Sequence, residues 1–228
     1  MDVASGKFWC PAEMNKILMQ KSALFLIALS ACPAMADGLD ALESFLKTSK
    51  SARAEFTQTV TSPSKEGQSP RIKTSSGSFE FLRPNRFKFV YKKPFEQTLL
   101  ADGQTLWMHD VDLNQVTTSK QVNVLNSTPA ALIASAPDIK ALQQNFSLQA
   151  APDKDGLQWV TATPKAKEGS LQSIRVGFKT TGQLAALDML DSFGQRSVLS
   201  FQSVEINPTL PESTFVFKPP QGVDVIKQ

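Results

Sequence analysis

With 228 residues the chain can hold one large domain or two small ones, and it can bury a sizeable core. Its 24 basic residues stand against 21 acidic ones, a formal charge of +3 that is too small and too evenly spread for a nucleic-acid footprint. The two cysteines are Cys10 and Cys32, so beyond residue 32 there is no disulfide, no thiol nucleophile and no cysteine metal site.

Taken in chain order, the first 36 residues read as a targeting segment. Lys16 and Lys21 supply the positive flank, residues 22–31 are apolar, and Ala34-Met35-Ala36 gives the small-x-small pattern at which signal peptidase cuts. Residues 1–13 share none of these features, so Met14 fits better than Met1 as the true start. The apolar stretch is too short to span a bilayer, which needs roughly 20 such residues, and no later run approaches that length. The mature domain is therefore expected over residues 37–228, with a net charge of about +2 once Lys7, Lys16, Lys21, Asp2 and Glu13 are removed. Leu29-Ser30-Ala31-Cys32 also matches a lipobox, in which Cys32 would be lipidated. Pro33 and the cleavage pattern just downstream favour the soluble form.

Leu39, Leu42, Phe45 and Leu46 recur at helical spacing, predicting an amphipathic helix over 37–49. The period then switches to two: Ala52, Ala54, Phe56, Gln58 and Val60 alternate with Arg53, Glu55, Thr57 and Thr59, as in a half-buried strand. Residues 62–76 read as a polar loop with Pro63, Gly67 and Pro70. From Gly77 onward the pattern is a run of antiparallel strands. Phe79 and Phe81 share one face, and Phe87, Phe89 and Tyr91 share another, opposite Lys88, Val90 and Lys92. Asp102-Gly103 is a strong hairpin signal. Further turns are expected at 112–114, 153–156, 181–182 and 193–194, with strands over 157–163, 171–178, 184–190 and 197–204. Between them Thr128-Pro129 caps a short helix over 130–135, and Pro137-Asp138 starts a second one through Gln144. The result is one α+β domain on a large antiparallel sheet.

About ten strands, each with one apolar face, cannot all be covered by three short helices unless the sheet curls. A curled sheet of that size can enclose a small ligand. Periodicity alone does not separate such a cavity from a filled core. Catalytic chemistry is sparse. His109, placed just after a strand beside Asp110, reads as a surface residue. There is no nucleophile elbow, P-loop or dinucleotide fingerprint, and no metal-ligand spacing. Asp188 and Asp191 fall on opposite strand faces, which makes them poor acid–base partners. The chain is not expected to be an enzyme or to carry a cofactor or a metal.

Several stretches together resemble the outer-membrane lipoprotein carrier (LolA) family. They are Phe56-Thr57-Gln58, Arg83-Pro84-Asn85-Arg86-Phe87, Asp102-Gly103 before Leu106-Trp107, Thr128-Pro129 with Leu132-Ile133, Thr163-Pro164-Lys165, Gly169 with Leu171, and 215–223. The resemblance implies an unclosed antiparallel β-barrel of about ten or eleven strands, covered by a lid of short α-helices over an acyl-chain cavity. It implies a monomeric periplasmic chaperone for outer-membrane-directed lipoproteins. Such a carrier would be loaded by an inner-membrane ABC transporter of the LolCDE type and emptied by the receptor LolB, with no nucleic acid and no stable membrane insertion. Arg83 would latch the lid through its backbone, and Phe87 would handle cargo. Phe56, Phe79, Phe81, Phe87, Phe89 and Tyr91 would line the cavity with Leu99, Leu106 and Met108. The lid would contribute Leu42, Phe45, Leu46, Leu132 and Ile133. Phe89 stands where many members carry tryptophan, and the 62–76 loop looks long.

Three other readings stay open at this point. An anchored LolB-like receptor would use the Cys32 lipobox. A carrier of another lipid would share the apolar cavity. A periplasmic hydrolase would need His109.

Overall fold

The Asp37 carboxylate accepts the backbone N–H groups of Leu39 at 2.7 Å and Asp40 at 3.1 Å, and the Asp40 side chain reaches back to the N–H of Asp37. This reciprocal cap satisfies donors that a helix start leaves orphaned. Helix α1 follows as Gly38–Thr48, with Ala41, Leu42, Phe45 and Leu46 buried along one stripe. The computed structural model describes residues 37–64, 67–122, 136–166 and 169–228, all within a unit running from Met35 to Gln228. The targeting segment and the helix expected over 130–135, with Leu132 and Ile133, lie outside the described residues.

The switch from helical to two-residue periodicity falls at Ser51, where β1 (Ser51–Ser62) begins. It pairs with β2 (Arg71–Leu82), which hands on to β3 (Arg86–Lys93), β4 (Gln97–Asp102), β5 (Thr105–Asp110) and β6 (Gln115–Lys120) as consecutive antiparallel hairpins. Helix α2 (Ile139–Asn145), capped by Asp138, leads into β7 (Phe146–Lys154). Strands β8 (Leu157–Pro164), β9 (Leu171–Lys179), β10 (Leu184–Asp191) and β11 (Arg196–Ile206) return by hairpins until β11 pairs with β1. The short β12 (Asp224–Lys227) adds to β6 in parallel. The sheet therefore has twelve strands in the order β12-β6-β5-β4-β3-β2-β1-β11-β10-β9-β8-β7 and does not close. It is antiparallel throughout except at the β12 edge.

Three details differ from the sequence reading. Residues 71–76 are strand, not loop: apart from the exposed Ile72 they are polar, yet their backbone pairs with Thr57–Ser62 of β1. Strands β7 and β12 show no clean apolar alternation, and the ladder alone defines them. His109 lies inside β5 and not after it.

The sheet curls strongly. Phe45 of α1 touches the ring of Phe81 on β2 (6.2 Å between centroids) and that of Phe178 on β9 (5.7 Å). Those two strands are four positions apart in the sheet, which would be about 19 Å if it were flat. Curling brings them around α1, and the core cluster sits in the resulting hollow. Gly77 is required at the sharpest approach, because a Cβ there would meet the Val90 carbonyl oxygen at 1.9 Å, beside the irregularity at Ser76/Gly77.

The convex side of β3–β6 carries a second apolar layer. After β11, a 3₁₀ turn (Glu212–Phe215) packs on β3 and β4 with Phe215 buried. Phe217 then stacks on Trp107 (5.2 Å) and meets His109 edge-on (5.9 Å). Asp102 accepts from the backbone N–H groups of Gln104 and Thr105 and from the Trp107 indole. Burial pushes its carboxyl up, but these donors prevail and hold it below the usual value.

Candidate functional site

The concave face is organised in cross-strand rows, because antiparallel pairing sets side chains of one face directly opposite each other. Nearest α1 runs the row Ala52, Phe81, Phe87, Ala101, Leu106. The next row is Ala54, Phe79, Phe89, Leu99, Met108. A third is Phe56, Gly77, Tyr91, Gln97, Asp110, and a fourth begins with Gln58 and Ser75. Across β1–β5 polarity rises with distance from α1: two rows are wholly apolar, the third is mixed, and the fourth opens with Gln58 and Ser75, while on its β11 side Gln58 pairs with buried Leu199.

The structure brings most of the expected cavity residues together. Phe56, Phe79, Phe81, Phe87, Phe89 and Leu106 are buried, while Tyr91 and Leu99 are half-buried against them. Phe79 stacks on Phe89 at 4.3 Å, and Phe56 meets Phe89 and Tyr91 edge-on at 5.6 and 5.1 Å. Met108 stands apart from them, 40% exposed. The rings interlock, so this face is filled in the state observed. Long acyl chains can enter only if rings rotate or α1 moves away.

Two polar side chains hold the C-terminal end of α1, which packs on β7–β9, and a third ties two neighbouring turns together. Arg83 follows β2, and its own N–H donates to the Lys50 carbonyl at 2.8 Å. Its Nε donates to the Ser49 carbonyl at the end of α1 (2.8 Å), and its Nη1 donates to the carbonyl of Ala136, just ahead of α2. The guanidinium lies 5.3 Å from the centre of the Phe81 ring and 5.8 Å from that of Phe45. Burial lowers its pKa to about 10, so it stays charged at neutral pH while compensated by carbonyl dipoles and ring faces. Asn207 takes a left-handed backbone (φ 57°) after β11. Its side chain donates to the Thr48 carbonyl (3.0 Å) and accepts from the N–H groups of Lys50 and Ser51. Gln121, 2% exposed, donates to the Asn85 carbonyl (2.6 Å) and accepts from the Gly103 N–H (2.9 Å), tying the Arg83-Pro84-Asn85 turn to the β4–β5 turn.

Sequence reasoning passed over Asn207 and Gln121. Asn207-Pro208 carries a turn signal, but Gln121 has no local one, because its partners are backbone groups 18 and 36 residues away.

At the polar end the concave side opens into two clefts. One, of about 480 Å³, is lined by Gln58, Ser75, Tyr91, Gln97, Asp110 and Asp112 together with Pro94, Phe95 and Leu113. The other, about 250 Å³, lies between Gln58, Val60, Leu171, Met189, Asp191 and Ser197. Gln58 borders both and donates to the Ser197 hydroxyl at 2.7 Å. Asp188 is taken up elsewhere, accepting from Nε and Nη2 of Arg196 at 2.8 and 2.7 Å and approached by Arg175 at 3.9 Å. No helix among the described residues is long and apolar enough to cross a membrane.

Comparison with known proteins matches this arrangement to a family. The model of the family described as "Outer membrane lipoprotein carrier protein LolA" matches residues 47–218. Outer-membrane lipoprotein carrier protein of Albidiferax ferrireducens is 64% identical over 213 residues, covering 92% of this chain and all of that one. Its counterpart in Methylibium petroleiphilum is 50% identical over 92% of this chain and all of that one. Among solved structures, a LolA superfamily protein from Nitrosomonas europaea superposes with a TM-score of 0.45 and 13% identity, covering 80% of this chain and 98% of that one. A family match over most of the domain, with half to two thirds of residues identical in full-length relatives, leaves one conclusion: this chain belongs to the LolA family of outer-membrane lipoprotein carriers.

Proposed function

We propose that this protein is a periplasmic carrier that holds the acyl chains of outer-membrane-directed lipoproteins against the aromatic concave face, beneath α1. The observation that carries the reading is the pairing of two apolar rows with a cover, α1, which packs on β7–β9, reaches Phe81 through Phe45 and is held at its end by side-chain bonds to backbone. Such a cover can be displaced without unfolding the sheet. Acyl chains in water cost about 0.8 kcal/mol per exposed methylene, so three long chains need an apolar container and do not leave it unaided. Cargo must pass directly from one cavity to the next. The sequence has no nucleotide-binding motif, so loading draws its energy from a partner, in this reading a LolCDE-type ABC transporter. A LolB-type receptor that binds cargo more tightly empties the carrier. On this account Arg83 is the latch and Phe87 a contact along the cargo path, and the protein works as a monomer without cofactor or catalysis.

The test is two-step transfer. Spheroplasts carrying a radiolabelled outer-membrane lipoprotein are incubated with the purified protein, and the released material is then offered to the receptor. The reading expects release as a one-to-one soluble complex, followed by hand-off. Lipoprotein that stays in the membrane under these conditions, with an active transporter, contradicts it.

A further inference from the structure

The polarity gradient of the concave face ends in a place fit for a headgroup. The third and fourth rows put Tyr91, Gln97, Gln58 and Ser75 side by side, immediately beyond the aromatic rows. Tyr91 touches the apolar interior through Phe56 and Phe89 and also lines the 480 Å³ cleft. Its hydroxyl makes no hydrogen bond to any described residue, although the residue is half-buried and burial raises its pKa. A phenol in that position has a donor to offer an incoming acceptor.

Among the described residues that line the clefts the charges have one sign: Asp110 and Asp112 stand at the first and Asp191 at the second, with no lysine or arginine. Lys73, the cross-strand partner of Val60, and Lys93, two residues past Tyr91 on β3, are exposed and are not among the residues that line these clefts. A phosphodiester brought here would meet carboxylates and no cation among the described lining residues, whereas an uncharged ester or amide would find neutral donors and acceptors.

We infer that the Gln58–Ser75–Tyr91–Gln97 end of the concave face is a headgroup subsite that takes the uncharged glyceryl-ester and amide linkage of acylated cargo and rejects anionic phospholipids. The inference rests on the carrier reading above, with acyl chains lying on the adjoining aromatic rows. It gives the protein a means of ignoring phospholipids, whose chains would suit the same interior.

The test separates interior from headgroup. N-phenylnaphthylamine, an uncharged probe without a headgroup, is first titrated to measure the aromatic interior alone. It is then displaced by two ligands with the same pair of palmitoyl chains, a diacylated cysteinyl peptide of zero net charge and phosphatidylglycerol. The lipopeptide is expected to displace the probe at a concentration roughly tenfold or more lower, as about 1.4 kcal/mol of repulsion between the lining carboxylates and the phosphodiester implies. Gln97→Lys combined with Asp110→Asn should shrink or reverse that ratio, and Tyr91→Phe should weaken the lipopeptide several-fold more than phosphatidylglycerol. Equal displacement by the two ligands in the unaltered protein overturns the subsite whatever the variants do. A chain that fails to bind the probe at all overturns the carrier reading instead, so the two failures are distinct.

Discussion

On the proposed carrier reading, Arg83 sets the balance between holding and releasing cargo. Its donors reach the end of α1 and the approach to α2 at once, which a lysine could not do with the same geometry. If these charge-assisted bonds favour the closed state by about 2–3 kcal/mol, cargo must overcome that amount to open it, and its apparent affinity falls accordingly. Arg83→Leu should therefore bind cargo about 30-fold more tightly or more, load normally and fail to hand off. A two-step transfer assay checks this; poor loading with normal release would make Arg83 a contact for cargo or transporter instead of a latch. Phe87, 1% exposed on the row nearest α1, is expected to act differently. Phe87→Glu places a charge beside acyl chains and should weaken loading or transfer, provided circular dichroism shows the sheet intact. Normal loading and transfer by a folded Phe87→Glu protein would take that residue out of the cargo path. The identity of Arg83 as a candidate was legible only through the Arg-Pro-Asn motif. Its partners are main-chain carbonyls, which any residue supplies, so no side-chain pattern could have named Ser49 or Ala136.

At the scale of elements, α1 is fixed at its C-terminal end by Asn207 as well as by Arg83, and Asn207 also satisfies the first N–H groups of β1. Asn207→Gly keeps the left-handed backbone accessible but removes the side-chain bonds, so it isolates their contribution. We expect it to lower stability by about 1–3 kcal/mol, or several degrees in melting temperature. An unchanged melting temperature would show that these bonds are dispensable. The β4–β5 hairpin carries a pH signature. Because Asp102 is held below its ordinary pKa, its contribution is present above the unfolded value and is lost as pH falls through the lower folded one. Asp102→Asn should reduce stability at neutral pH and flatten the acid limb of the stability curve below about pH 4. Elements with one apolar face, such as α1, β1, β3 and β9, were legible in the sequence because burial imposes the period. The start of β2 and all of β7 and β12 were not. Their residues are largely solvated, and only pairing with a distant strand makes them extended.

Over the whole molecule, the sheet serves two apolar layers. The concave layer lies under α1, and the convex one is closed by residues 210–217, where Leu210 and Phe215 are buried and Phe217 lies on Trp107. The convex layer reads as a permanent core, because its cover is continuous with β12 at the sheet edge. The cover of the concave layer, α1, packs its apolar stripe on β7–β9 and is held at its C-terminal end by side-chain bonds to backbone. Phe215→Ala should cost about 3–5 kcal/mol of stability, seen in denaturant titration, without changing the ratio of loading to transfer in the protein that remains folded. The sequence made the curl legible, since so many one-sided strands could not be covered by a few helices. It did not reveal which of the two faces holds a removable cover.

The most direct test asks where the acyl chains lie. A photocrosslinking side chain is placed at Phe89, on the concave aromatic face, and in a second protein at Lys88, the preceding residue on β3 and on its other face. Each is loaded with lipoprotein from spheroplasts and irradiated. The account predicts covalent capture of lipoprotein acyl chains from residue 89 and none from residue 88. Capture at residue 88 but not at residue 89, by proteins that both release lipoprotein, would contradict it.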